Sequence, residues 1–253
     1  MALTETESLV LKSYNLAEAD RIVVLLTRDH GVVRGVAKGA KRLKSKFGSG
    51  LEPFSVVRVG YYEKENQELV AIDRVDLIQS NFSVASDPDF LQKFSYLCDL
   101  LITFSPPNDP NETLFRMVKA CVDTAASDPT ALLATGVYFE IWLLRLAGYL
   151  PDWTRCDQCK RPFQENEEGS MRADFHYICR ECDRSAKGRM FGGAGRSVAM
   201  SALKLSPVDF SAATRTRSSE LNDLTGKLKA LISRSLGREV VGETSLTLTQ
   251  TGS

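Results

Sequence analysis

The chain has 253 residues, 43% of them hydrophobic and 25% charged, with 32 basic and 32 acidic side chains and a formal net charge of zero. This composition excludes a disordered polyelectrolyte and argues against a generally polyanion-binding surface, while the length allows two modest cores and a satellite motif. No stretch reaches the roughly 20 uninterrupted apolar residues that cross a bilayer, and the amino terminus lacks the charge and apolar pattern of a secretory leader, so a cytoplasmic address is expected.

The first 80 residues read as short extended runs at 8–13, 22–27, 32–37, 54–62 and 69–78, rich in Val, Ile, Leu and aromatic residues and separated by turn signals such as Asp29-His30-Gly31. Five strands at this length predict a small barrel of the OB type, because closure buries one face and limits exposed edges; an SH3-like barrel satisfies the same pattern. The segment 39–50 is then a long connection between the third and fourth strands.

From Asp87-Pro88 the periodicity becomes helical. Asp87 is placed to cap a helix to about Phe104, Asn111 opens a second to about Ala126, and Asp128-Pro129 starts a third over about 130–147 that is apolar nearly all round and is expected to be central. After Gly192-Gly193-Ala194-Gly195, read as a flexible turn, come a short helix at 197–203 and a last one at about 219–236. The expected class is α+β: an OB domain at 1–80, a helical domain from 81–152 and 190–240, a ribbon inserted at 153–189, and a flexible tail at 241–253.

Four cysteines supply the most specific signal. Cys156 and Cys159, then Cys179 and Cys182, form two C-x2-C pairs, the spacing of a zinc ribbon. Each pair can turn both thiolates to one ion, and two pairs complete a closed tetrahedral shell, which marks structural Zn2+, one per chain, rather than a catalytic metal. Disulfides and a redox pair were weighed against this, but neither a secretory leader nor a βαβ pattern accompanies the motif. Cys98 and Cys121 fall in apolar helical stripes and read as small buried hydrophobes.

Between Gly31 and Leu51 stand six basic residues, Arg34, Lys38, Lys41, Arg42, Lys44 and Lys46, and no acid, whereas residues 81–150 carry eight acids and four bases. Cations beside a barrel suit single-stranded nucleic acid, with phosphates following the charges and bases stacking on aromatics; Phe47, Tyr61 and Tyr62 are the candidate stackers, each also a candidate core residue. No phosphate loop, nucleophile elbow, zinc-protease or deaminase signature is present, and the two histidines, His30 and His176, have no evident nucleophile partner, so no enzyme activity is expected. The acid pairs Glu167-Glu168 and Asp73 with Asp76 read as solvated surface charge.

Lys12-Ser13-Tyr14, Glu18-Ala19-Asp20-Arg21, the stretch from Gly35 through Phe47 with Leu51-Glu52-Pro53-Phe54, and Ala147-Gly148-Tyr149-Leu150-Pro151 ahead of the first cysteine pair together resemble the bacterial recombination mediator family RecO over most of the chain. The resemblance implies binding of single- and double-stranded DNA, annealing of complementary strands, and cooperation with RecR in loading RecA onto strands covered by single-stranded DNA-binding protein, in a nucleoid-associated protein. It places the DNA role on the six basic residues and the metal role on the four paired cysteines. A receptor for the binding protein's acidic, apolar tail needs a rim cation, and Arg116 and Arg196 are the candidates, where the second or third helix meets the 197–203 helix. The alternatives are an RNA-binding OB and zinc-ribbon protein and a protein-binding scaffold.

Overall fold

The computed structural model describes residues 3–63, 68–165, 167–172, 174–184 and 189–237. Its first five strands, β1 (Leu3–Leu16), β2 (Asp20–Thr27), β3 (Gly31–Ala37), β4 (Val56–Tyr62) and β5 (Val70–Gln79), close into a barrel in the order β1-β2-β3-β5-β4. Every neighbouring pair is antiparallel except β3 with β5. This is the OB-type arrangement expected from the strand pattern. Strand β1 is far longer than 8–13 because Leu3–Leu9 pairs with β4 while Ser8–Leu16 pairs with β2. The polar alternation of its first residues marks the β4-paired half, which an apolar count passes over.

A bulge at Leu11 interrupts the β1–β2 ladder: Val10 pairs with Leu25, but Lys12 pairs with Val24. One extra residue reverses the facing of everything after it. Val10 therefore joins the barrel interior with Val23, Leu25, Val33, Ala37, Val57, Val59, Tyr61, Ile72 and Val75, whereas Lys12 and Tyr14 face outward. The inward face of β3 has no room at Gly35, where a Cβ would lie 2.5 Å from Ile72 Cδ1.

Contacts divide the chain between Ala126 and Ser127. The first unit joins the barrel to α1 (Phe82–Ala85), α2 (Pro88–Phe104) and most of α3 (Glu112–Ser127). Asp87 caps α2 by accepting from the Phe90 amide, and Phe54, on the barrel, meets Phe90 and Phe94 edge-on at 5.4 and 5.8 Å between centroids. Lys12 forms an ion pair with Asp99 of α2, and in the other unit Glu140 is buried, so the acids of 81–150 are not all solvent-facing.

The second unit holds α4 (Leu132–Leu146), α5 (Gly193–Ala202), α6 (Pro207–Thr214), α7 (Ser218–Ser235) and, between α4 and α5, the strands β6 (Gly169–Met171), β7 (Tyr177–Cys179) and β8 (Arg189–Phe191) in a sheet ordered β7-β6-β8. Helix α4 packs on the other three, as its nearly all-round apolar sequence predicts, and Trp142 Nε1 donates to the Ala202 carbonyl at 2.9 Å. Helix α6 escaped the periodicity, yet its start is legible: Ser206 accepts from the Asp209 amide, with Pro207 at the first position. Residues 192–195 are the opening of α5 rather than a loose turn, and Gly195 lets it approach β8, since a Cβ there would lie 2.7 Å from the Phe191 ring. The expected tail at 241–253 lies outside the described residues.

Candidate nucleic-acid interface and metal centre

The connection from Lys38 to Ser55 is long but anchored. Phe47 and Leu51 are 3% and 2% exposed and fill the barrel with the strand side chains. The Gly39 amide donates to Asp20 Oδ1 at 2.8 Å, and the Lys41 amide to the Ala19 carbonyl at 2.9 Å, tying the segment to the β1–β2 turn. Gly39 takes a φ of +72°, a conformation glycine adopts without steric cost, and Arg42 closes the tight turn that follows by donating to the Gly39 carbonyl. What projects between these anchors is Lys41-Arg42-Leu43-Lys44, all exposed.

All six predicted cations are solvent-facing: Arg34 on the outer face of β3, Lys38 directly after it, and the other four along the connection. Among the described residues, Arg34, Lys38, Lys41, Arg42 and Lys44 have no carboxylate within ion-pair distance, whereas Lys46 lies 3.3 Å from Asp73 and 5.3 Å from the centroid of the Phe47 ring. Arg21, nearby on β2, is neutralised by Glu52 at 3.1 Å. Charge complementarity to a polyanion is therefore concentrated on five side chains. Two of the candidate stackers are unavailable: Phe47 plugs the barrel, and Tyr61 is fully buried with its phenol pushed up to about 12, chiefly by desolvation. Tyr62 is half-buried.

In the second unit the four paired cysteines converge, their sulfurs all within 4.8 Å of one another. Two tight turns do this. Lys160 N donates to the Cys156 carbonyl at 2.8 Å in one, and Cys182 N to the Cys179 carbonyl at 3.0 Å in the other, while β7 (Tyr177–Cys179) against β6 (Gly169–Met171) carries the second pair toward the first. Cys159 Sγ and Cys179 Sγ are 3.9 Å apart, nearly the edge of about 3.8 Å expected for thiolates 2.3 Å from one tetrahedral ion and far from a disulfide bond. None of the six cysteines is bridged. Burial disfavours the Cys156 thiolate, but the amides of Cys159, Cys179 and Gln158 outweigh it and bring the thiol down to about 6; the Cys179 amide is 3.3 Å from that sulfur. The donor set fits a tetrahedral thiophilic ion with no position left for water. Cys98 and Cys121 are buried and their thiols pushed up by desolvation, matching their reading as packing residues.

Arg161 makes a two-pronged pair with Glu167 at 2.8 and 2.6 Å, so Glu167 is an internal partner rather than solvated charge, held below the usual carboxylate range first by that hydrogen bond. Asp73 and Asp76 are likewise paired, with Lys46 and Arg74. Arg196, expected on the rim of a partner pocket, is 6% exposed, donates through Nη2 to the Gln164 and Glu165 carbonyls, and lies over the Phe163 ring. Its burial follows from its place on the ribbon-facing side of α5, which the sequence spacing does not reveal. Arg116 is exposed on α3.

Comparison with known proteins adds an independent line. The family model for the N-terminal domain of recombination protein O matches residues 1–81, and that for its C-terminal domain matches 86–241. A DNA repair protein RecO of Koribacter versatilis is 36% identical over 174 residues, 69% of this chain and 68% of its own length. Others from Thermoanaerobacter sp. and Dehalococcoides mccartyi are 31% and 30% identical, each covering 72% of its own length and 72% and 73% of this chain.

Proposed function

The chain belongs to the RecO family of DNA repair proteins, and we propose that within DNA repair it binds single- and double-stranded DNA, anneals complementary strands, and works with RecR to load RecA onto strands coated by single-stranded DNA-binding protein. The observation that carries the DNA-binding reading is the set of five exposed cations, Arg34, Lys38, Lys41, Arg42 and Lys44, on and beside an anchored barrel loop and without carboxylate partners among the described residues. Cations at the tip neutralise phosphates without reading bases, so affinity is sequence-independent and strongly salt-dependent. Annealing follows from that chemistry: lowering phosphate repulsion on a strand lets a complement approach while its base edges stay free.

The ion that fits the cysteine cluster is Zn2+, held by Cys156, Cys159, Cys179 and Cys182; when bound it supplies cross-linking of the knuckles and no reaction chemistry. No catalytic residue is assigned, and the work proposed is binding. Arg116 is the remaining candidate for a tail carboxylate of single-stranded DNA-binding protein, since Arg196 already serves two carbonyls. The domain limits 1–80, 81–152 with 190–240, and 153–189 stay part of the proposal. Among the described residues no helix is long and apolar enough to cross a membrane.

The test is salt titration of single-stranded DNA binding. Five phosphate contacts correspond to a log–log slope of about −3.5, and Lys41→Ala, Arg42→Ala and Lys44→Ala together should flatten it to about −1.4 with the fold intact. An unchanged slope and affinity would move the DNA site off this loop, and stronger binding to RNA of equal length would favour the RNA-binding alternative.

A further inference from the structure

With Phe47 and Tyr61 in the core and Tyr62 half-buried, two of the three candidate stacking partners for bases are gone, and the structure supplies a more exposed one. Because the bulge at Leu11 turns the end of β1 over, Tyr14 lies on the outer barrel face, in register with Ile22 of β2, which in turn faces Val36 of β3. Tyr14 is 49% exposed, and Ile22 and Val36 are half-buried, so the row is an open apolar strip with an aromatic ring at one end. Arg34, about 6.6 Å along β3 from Val36 on the same face, and Lys38, directly after the strand, are both exposed, and neither is paired to a carboxylate among the described residues. Among neighbouring acids of the described residues, Glu52 pairs with Arg21, Asp99 with Lys12 and Asp73 with Lys46, while Asp20, which accepts from the Gly39 amide, and Glu18 in the β1–β2 turn keep their charge. Phe82 is the other exposed Phe or Tyr among the described residues, and α1, which carries it, has no basic residue.

We propose that Tyr14 is the base-stacking platform of a single-stranded track across β1, β2 and β3, with Arg34 and Lys38 holding phosphates on either side of Val36. The inference rests on the DNA-binding reading above and deepens it, because it names the side chain that separates single strands from duplex. A ring on an open face stacks on an unpaired base, but a paired base keeps its faces inside the duplex and offers the ring nothing. Cations of the projecting loop serve both kinds of DNA, and Tyr14 serves one.

The experiment measures binding of a roughly 20-nucleotide thymidine strand and a duplex of equal length by wild type, Tyr14→Phe, Tyr14→Ala and Tyr14→Leu, with thermal unfolding alongside. Loss of one stacked base corresponds to about a 5- to 150-fold weakening. That loss is expected for the strand in Tyr14→Ala and in Tyr14→Leu, which keeps apolar area without the π face, with the salt slope unchanged. Duplex affinity should move less than about 2-fold, and Tyr14→Phe should bind as wild type. Wild-type strand affinity in folded Tyr14→Leu, or equal losses on strand and duplex, overturns the assignment of Tyr14. Failure of the wild type to bind either DNA overturns the DNA-binding reading itself.

Discussion

The β3–β4 connection and the first knuckle of the ribbon are both long stretches with little regular structure, yet they are fixed by opposite means. The connection borrows the barrel: Phe47 and Leu51 enter its core, and Asp20 and Ala19 hold its backbone. The knuckle, a small satellite on the second unit, is organised by four sulfurs, with Phe163, Ile178 and little else in its cluster. Among the described residues the cations of the connection, Lys46 apart, have no carboxylate within ion-pair distance, whereas at the ribbon Arg161 and Arg196 are spent on Glu167 and on carbonyls and Arg155, Arg180 and Arg184 stay exposed. A chain with no net charge thus presents a cationic surface by where it neutralises side chains, not by how many it has.

Metal removal should separate the two regions most sharply. Structural zinc contributes about 10–16 kcal/mol of apparent binding free energy in small zinc peptides, so Cys156→Ser or chelation is expected to abolish metal content and open 153–189 to protease while single-strand binding persists. Metal analysis and limited proteolysis check this, and a metal-free wild type resisting protease as well as the metal-loaded protein would break the comparison. Next comes Phe47→Ala, which should cost about 3–5 kcal/mol in urea unfolding, against less than about 0.5 kcal/mol for Leu43→Ala at a fully exposed site four residues earlier. Equal costs would show that the connection is not held by its plug. The smallest effect is at Lys160, which sits at φ +61°. Glycine relieves that backbone, so Lys160→Gly is expected to stabilise the knuckle by about 1 kcal/mol, read as tighter metal retention against a competing chelator.

Much of this was legible beforehand, and the misses share a cause. Runs rich in Val, Ile, Leu and aromatic residues located all five barrel strands, Asp87 announced α2, and cysteine spacing singled out the four sulfurs that converge. Facing was harder, because one bulge in β1 reverses it: counting by twos from Val10 puts Tyr14 inside, and the register shift at Leu11 puts it outside. The same blindness placed Phe47 among the stackers, since an aromatic in a glycine-framed basic loop looks solvent-exposed until the barrel mouth beneath it is known. Arg196 was expected on a pocket rim and Glu167 in solvent because their partners, two carbonyls and Arg161, are fixed by how the ribbon folds back. The start of α6 was visible in Ser206-Pro207 with Asp209, but its eight residues carry too weak an apolar stripe to stand out from the loop around them.

The bulge in β1 also sits where the strand changes partners, with β4 on one side and β2 on the other. These pairings have very different contact orders. Leu16 meets Asp20 across a three-residue turn, a hairpin that closes locally, whereas Leu9 meets Val56 only after β2, β3 and the whole basic connection have been spanned. Barrel closure is therefore the slow, non-local step. Phe47 and Leu51 of the connection that displays the cations lie in the core this closure encloses, so the seating of the loop is tied to the sealing of the barrel.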